Sequence, residues 1–172
     1  MTKPHRLVAE IVAAAEGEII GRVRLQKIVY LLEQKGLASG ASFSYHHYGP
    51  FSRQIDEAVD AAKAFDGLEE VVRHRQSDGA PFSVFQLSPD SDVVPNGTIG
   101  GLSTDVVRDL IKRMKGKTST VIELAATIHW LATREKVADW RLELKRRKGV
   151  KTANGRDDEA LAVLRELELD PT

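Results

Sequence analysis

A chain of 172 residues, 42% hydrophobic and 29% charged, has the composition of one globular domain with room for a helical extension. It has no cysteine, which excludes disulfides, thiolate metal sites and a cysteine nucleophile, and which fits a reducing cytosol. Its 25 basic residues are balanced by 25 acidic ones, so it lacks the bulk positive charge of a general nucleic-acid binder. Residues 1–20 are amphipathic but too charged for a signal peptide, and no apolar run approaches the ~18 residues of a membrane span. The expected location is the cytoplasm.

Leu7, Ile11, Ala14 and Ala15 recur at helical spacing, which predicts a first helix over residues 4–16, ended by Gly17. Residues 24–34 form the clearest helix. Leu25, Ile28, Val29, Leu31 and Leu32 make its apolar stripe, and Arg24, Lys27 and Lys35 are expected mostly on the other side. Gly36 or Gly40 stops it. In residues 42–48, Phe43, Tyr45 and His47 alternate with Ser44 and His46, as in a short extended segment or an irregular loop. Gly49-Pro50 is a turn. Phe51, Ile55, Val59 and Ala62 then predict a third helix running to about Phe65.

Residues 68–75 and 82–87 read as two strands joined by a turn around Asp78-Gly79. Residues 88–101, rich in Pro, Gly, Asp and Ser, are the best linker candidate. Four helices follow, over residues 102–115, 119–134, 137–148 and 157–169. Ser103 or Thr104 caps the first of them, and Thr118 or Ser119 the second. The expected fold is α+β and mostly helical: winged-helix-like helices plus a small β-hairpin, followed by a C-terminal helical part. Residues 1–95 form the helical core with the hairpin, and residues 96–172 are C-terminal helices packed on the same domain.

Catalytic and cofactor patterns are missing. There is no Gly-x-Ser-x-Gly elbow and no phosphate-binding glycine loop; Lys115-Gly116-Lys117-Thr118 ends like one, but Ile111 stands where its first glycine belongs. His46 and His47 are adjacent and point opposite ways in an extended segment, so they cannot share a metal. The chain therefore reads as a non-enzyme without cofactor or metal.

Binding features are richer. Arg22, Arg24 and Lys27 form a basic cluster at a helix start, read first as a solvated face. Positive charge there opposes the helix dipole, which hints at a carboxylate or an acidic partner nearby. Phe51 is expected to plug the core between the second and third helices, with Tyr45 and Tyr48 half exposed. Arg141, Lys145, Arg146, Arg147, Lys148 and Lys151 make a basic run, and residues 157–170 are acidic. The two runs either pair with each other, stand as solvated faces, or leave a basic docking surface. Trp130 and Trp140 pack together or cover the core.

The residues Leu25, Gln26, Lys27, Ile28, Val29 and Tyr30, followed by Tyr48, Gly49 and Pro50, carry a family resemblance. This pairing resembles the Panacea domain, the SocA-like antitoxin domain, and is closer still to the uncharacterised YwgA-like proteins. A weaker echo lies in residues 123–135, where the family has a helix near a His and an aromatic. Phe51-Ser52 follows the proline where the antitoxin branch often has valine, which moves the chain toward the uncharacterised branch. The resemblance implies a mostly helical, prokaryotic or phage-related domain that neutralises a toxin by protein contact, or delivers it to a protease. It carries no catalytic residues over. Clustering around the motif nominates Arg22, Arg24, Tyr45 and Tyr48 as contacts with a protein partner, a toxin or protease substrate. The alternative is a winged-helix DNA-binding regulator, with residues 68–87 as the wing.

Overall fold

The computed structural model describes residues 3–171. Pro4 opens the first helix, α1 (Pro4–Ala14), where its fixed φ suits a helix start and its missing N–H costs nothing. Leu7, Val8, Ile11 and Val12 face inward and are buried. Next comes β1 (Glu18–Ile20), a strand the periodicity did not predict, because three residues carry too little pattern. The second helix, α2, spans Arg22–Gln34.

Two short strands, β2 (Ser44–His46) and β3 (Gly49–Phe51), pair antiparallel with Tyr45 opposite Pro50. The aromatic segment is therefore a hairpin. Helix α3 (Arg53–Phe65) is capped by Ser52, whose side chain accepts the Ile55 amide. Strands β4 (Leu68–His74) and β5 (Pro81–Leu87) form the expected long hairpin. β1 adds to it, Ile19 opposite Phe85, giving a three-stranded sheet of order β1-β5-β4. Helix, strand, helix, helix, hairpin is the element order of a winged helix, with β2-β3 inserted before its third helix.

Residues 88–101 are not a free linker. Val93 and Ile99 are buried, the Ser91 hydroxyl donates to Asp66 O, and Gly100 O accepts the Ala38 amide. Strands β6 (Thr98–Ile99) and β7 (Leu102–Ser103) form a minimal hairpin that leads into α4 (Thr104–Lys115). Ser103 stands at the cap of α4 without a side-chain bond, and Thr104 instead donates to Asn96 O.

Helix α5 (Ser119–Thr133) starts at Thr118, whose hydroxyl accepts the Val121 amide. Its residues 121–129 are all buried, so α5 is a central helix covered on every side. Around it lie α2, β3, α6 (Trp140–Lys148) and α7 (Arg156–Glu166). A 3-10 turn (Gly149–Thr152) links the last two. One hydrophobic core draws on α1, α2 and α3 together with α4, α5 and α7. The fold is α+β and mostly helical.

Candidate functional site

Gln26, Lys27 and Tyr30 leave α2 toward the β2-β3 hairpin and α5. Gln26 binds the backbone of Ser52 at two points: its Nε2 donates to Ser52 O at 2.9 Å, and its Oε1 accepts the Ser52 amide at 3.0 Å. One amide side chain thus fixes the residue that caps α3. Lys27 Nζ donates to Pro50 O at 2.8 Å. The Tyr30 hydroxyl and His129 Nδ1 share a hydrogen bond of 2.8 Å. Gly49 takes φ +93° and lies so close to α5 that a Cβ there would sit 2.6 Å from Thr127 Oγ1. The two halves of the motif therefore form one clasp, α2 on one side, the hairpin between, and α5 behind.

This geometry corrects the reading of the basic cluster as a solvated face. Lys27 is only 1% exposed and Arg24 only 9%. Arg24 donates to Ile20 O and Lys117 O at 2.9 and 2.8 Å, and burial lowers its pKa. It ties α2 to β1 and to the α4–α5 junction, away from any contact surface. Arg22 is the partly exposed member. Its guanidinium grips Glu70 at 3.0 and 2.8 Å, and Glu70 also accepts from Ser83 and Lys63. This fork holds the Glu70 carboxyl down at about 2, with Arg22 the main cause. The carboxylate hinted at by the cluster is thus supplied from within the chain.

Tyr45 and Tyr48 lie against α6 and the 3-10 turn. The Arg147 guanidinium stands 4.7 Å from the Tyr45 ring centroid, and Lys151 Nζ 4.8 Å from that of Tyr48. Tyr45 is partly buried, whereas Tyr48 is 49% exposed. Phe51 does not plug the core. It is half buried and lines a surface groove of about 170 Å³ with Arg22, Val23, Gln26, Lys27, Tyr48 and Asp56. Of the four nominated contacts, only Arg22 and Tyr48 line this groove. A wider depression of about 410 Å³ between α1 and α4 takes no motif residue; Lys115 crosses toward it to donate to Ala15 O at 2.6 Å.

Behind the clasp is a cluster that sequence reasoning missed. Glu123 of α5, 3% exposed, pairs with Lys148 at 2.9 Å and Lys151 at 3.0 Å. Lys148 also donates to His47 O at 3.1 Å. Burial lowers the Lys27 pKa from 10.5 to about 8; Glu123 opposes the shift, and Lys148 and Lys151 add to it. The signal available in sequence was the echo in residues 123–135, which runs from Glu123 through His129 and Trp130. His129 meets Tyr30 edge-on and Trp130 packs on it at a tilt, with 5.6 and 6.2 Å between ring centroids.

The basic run pairs only in part with the acidic tail. Arg141 meets Asp157 and Asp158, but Arg147 meets Glu135 and Glu143, and Arg146 meets Glu143. Trp130 and Trp140 each pack on the core, as covers.

The lowered Lys27 pKa makes stability depend on pH. Below about 8 the residue is protonated in both native and unfolded chains. Between about 8 and 10.5 the unfolded chain holds a proton that the native chain has released, so stability rises with pH. The gain is on the order of a few kcal/mol. Above 10 the buried Tyr30, whose pKa is raised, reverses the trend, because the unfolded chain ionises first. Denaturant midpoints measured from pH 7 to 10 are expected to rise in the wild type and to rise less in Lys27→Met, where Lys148, whose pKa burial also lowers, still contributes; parallel profiles for the two proteins would contradict the assignment.

No known family model matches the chain. Along nearly its whole length the chain is similar to the uncharacterized protein YwgA of Bacillus subtilis (strain 168), at 24% identity over 168 residues, 97% of this chain and 98% of that one.

Proposed function

We propose that this chain is a non-catalytic, cytoplasmic protein-binding module of the antitoxin or proteolytic-adaptor kind, with the groove beside Tyr48 and Phe51 as its contact surface. The observation that carries this reading is the way both motif halves converge on the groove. Gln26 and Lys27 form its floor while holding the hairpin that presents Tyr48 and Phe51. Rigid, half-exposed aromatics beside an arginine are the side chains that dominate interface energies. The Panacea-like, SocA-like pairing of Leu25, Gln26, Lys27 and Tyr30 with Tyr48, Gly49 and Pro50 supports a toxin or protease substrate as the partner. Three of the perturbed groups are engaged within the fold: Lys27 with Pro50 O, Glu70 with Arg22, and Tyr30 with His129.

The sheet order β1-β5-β4 favours a second reading, a winged-helix regulator. Its charge weighs against it. α3, the helix that would meet DNA, exposes Glu57 and Asp60 alongside Arg53 and Lys63, so it offers no net positive face to phosphates. On the wing, Arg75 is already paired with Asp78 and Arg73 with Glu18.

Capture from the native host with tagged protein, at low and at moderate salt, separates the two readings. One protein recovered at both salts is the expected result, and DNA recovered only at low salt would support the regulator instead. The Tyr48→Ala/Phe51→Ala variant is expected to lose that protein while its unfolding midpoint stays close to the wild type, because Tyr48 is half exposed.

A further inference from the structure

The three-stranded sheet ends differently at its two edges. At β1 the edge is only three residues long, and Ile20 O is taken by Arg24. Beyond β4 no further strand pairs among the described residues. The ladder fixes which groups this edge presents. Gly67 O accepts the Ser88 amide and the Arg75 amide donates to Ala80 O, so residues 67, 69, 71, 73 and 75 bond toward β5. The N–H and C=O groups of Leu68, Glu70, Val72 and His74 therefore point away from the sheet. Leu68 is closed off at 3% exposure, but the strand is open from Val72 onward, and Val72, an apolar residue, is 58% exposed.

Charge along this edge is divided by sign. Glu69 and Glu70 stand at its start, and Arg73, His74 and Arg75 at its end. Charged edges usually repel a second strand. A second copy laid antiparallel instead brings the acidic end of one strand to the basic end of the other. Residues 69–75 have Val72 at their middle. A two-fold axis through Val72, perpendicular to the sheet, keeps every side chain on its own face. It sets Val72 opposite Val72, Glu70 opposite His74 and Glu69 opposite Arg75 of the other copy. Glu69 and Arg75 then form a non-hydrogen-bonded pair, where side chains approach most closely. Both have capacity left: Arg75 commits Nε and Nη2 to Asp78 and keeps Nη1, while Glu69 commits only Oε1, to Gln86.

We propose that β4 is a self-association edge, through which two copies of the chain join antiparallel about Val72 and merge their two sheets into one. The backbone groups of Glu70, Val72 and His74 supply the ladder, Val72 covers its counterpart, and the Glu69–Arg75 pairs at both ends set the register. A contact made by one seven-residue strand is smaller than that of a permanent dimer, so the association is reversible, with a dissociation constant of roughly 0.1 mM.

Sedimentation equilibrium of the full chain from about 10 µM to 1 mM tests this, and the mean mass is expected to rise from one chain toward two. Val72→Pro removes the central outward N–H, which β5 does not use, and is expected to hold the chain monomeric with its sheet intact by circular dichroism. Glu69→Lys sets like charges opposite each other at both ends and is expected to weaken association about tenfold. That variant carries the test even if Val72→Pro does not fold. A wild type that stays monomeric at the highest concentration, or a dimer that the folded variants leave unchanged, overturns the proposal. A monomeric wild type whose captured partner is lost in Val72→Pro overturns it as well, and gives the edge to an extended segment of the partner protein.

Discussion

Gly49→Ala is expected to destabilise the protein by about 3 kcal/mol, and to do so through the clasp, not through lost burial. Two costs add. The backbone at Gly49 has φ +93°, a conformation that a side chain at this position makes strained. The new methyl would also sit 2.6 Å from Thr127 Oγ1. Thr127 cannot easily yield, because it is fully buried and its hydroxyl donates to Glu123 O at 2.8 Å. Either that bond breaks or the hairpin lifts from α5. Chemical denaturation of Gly49→Ala and of Gly49→Ala/Thr127→Ala separates the two costs. The double variant is expected to lose less than the sum of its singles, since it removes the clash and keeps the strain. Strict additivity would contradict the close approach.

Gln26→Leu is expected to cost about 2–4 kcal/mol, although leucine suits a helix well. The substitution leaves the Ser52 amide without its partner and the Ser52 carbonyl with only the Asp56 amide, at 3.3 Å, and Ser52 is only 1% exposed. It also frees the residue that caps α3. Gln26→Glu is expected to be no better: a carboxylate still accepts the Ser52 amide but faces Ser52 O and Asp56 without a donor. Thermal or denaturant unfolding checks both variants. A loss below about 0.5 kcal/mol for Gln26→Leu would mean that water or another side chain replaces the clamp.

These two residues show what the sequence made legible. The pairing of the Leu-Gln-Lys helix with Tyr-Gly-Pro was readable as a pattern, and in space the two halves touch. The roles of the pattern's polar members were not readable. Apolar periodicity assigns every cation on a helix to solvent, so Arg24 and Lys27 were expected outside. Besides the nearby Ile20 O, Arg24 reaches Lys117 O and Lys27 reaches Pro50 O, carbonyls 93 and 23 residues away that no local rule anticipates. Helices α2, α3, α4 and α5 were legible from apolar spacing and caps. Strand β1 was not, because a three-residue strand is defined by its partner Phe85 and its neighbours, not by its own sequence. Phe51 was expected in the core because its spacing continues that of Ile55 and Val59. The helix instead begins at Arg53, and Phe51 ends a strand whose alternation turns it to the groove. The groove itself was half legible: Arg22 and Tyr48 were nominated, whereas Phe51 and Asp56 needed the hairpin and α3 in place.

The central claim is that the surface built by the two motif halves is where the partner binds. Calorimetric titration of the captured partner against wild type and Tyr48→Ala/Phe51→Ala tests it most directly. Loss of two central aromatic anchors is expected to weaken binding at least about thirtyfold with the fold intact by circular dichroism. Unchanged affinity in a folded double variant would contradict the claim and move the contact surface elsewhere on the chain.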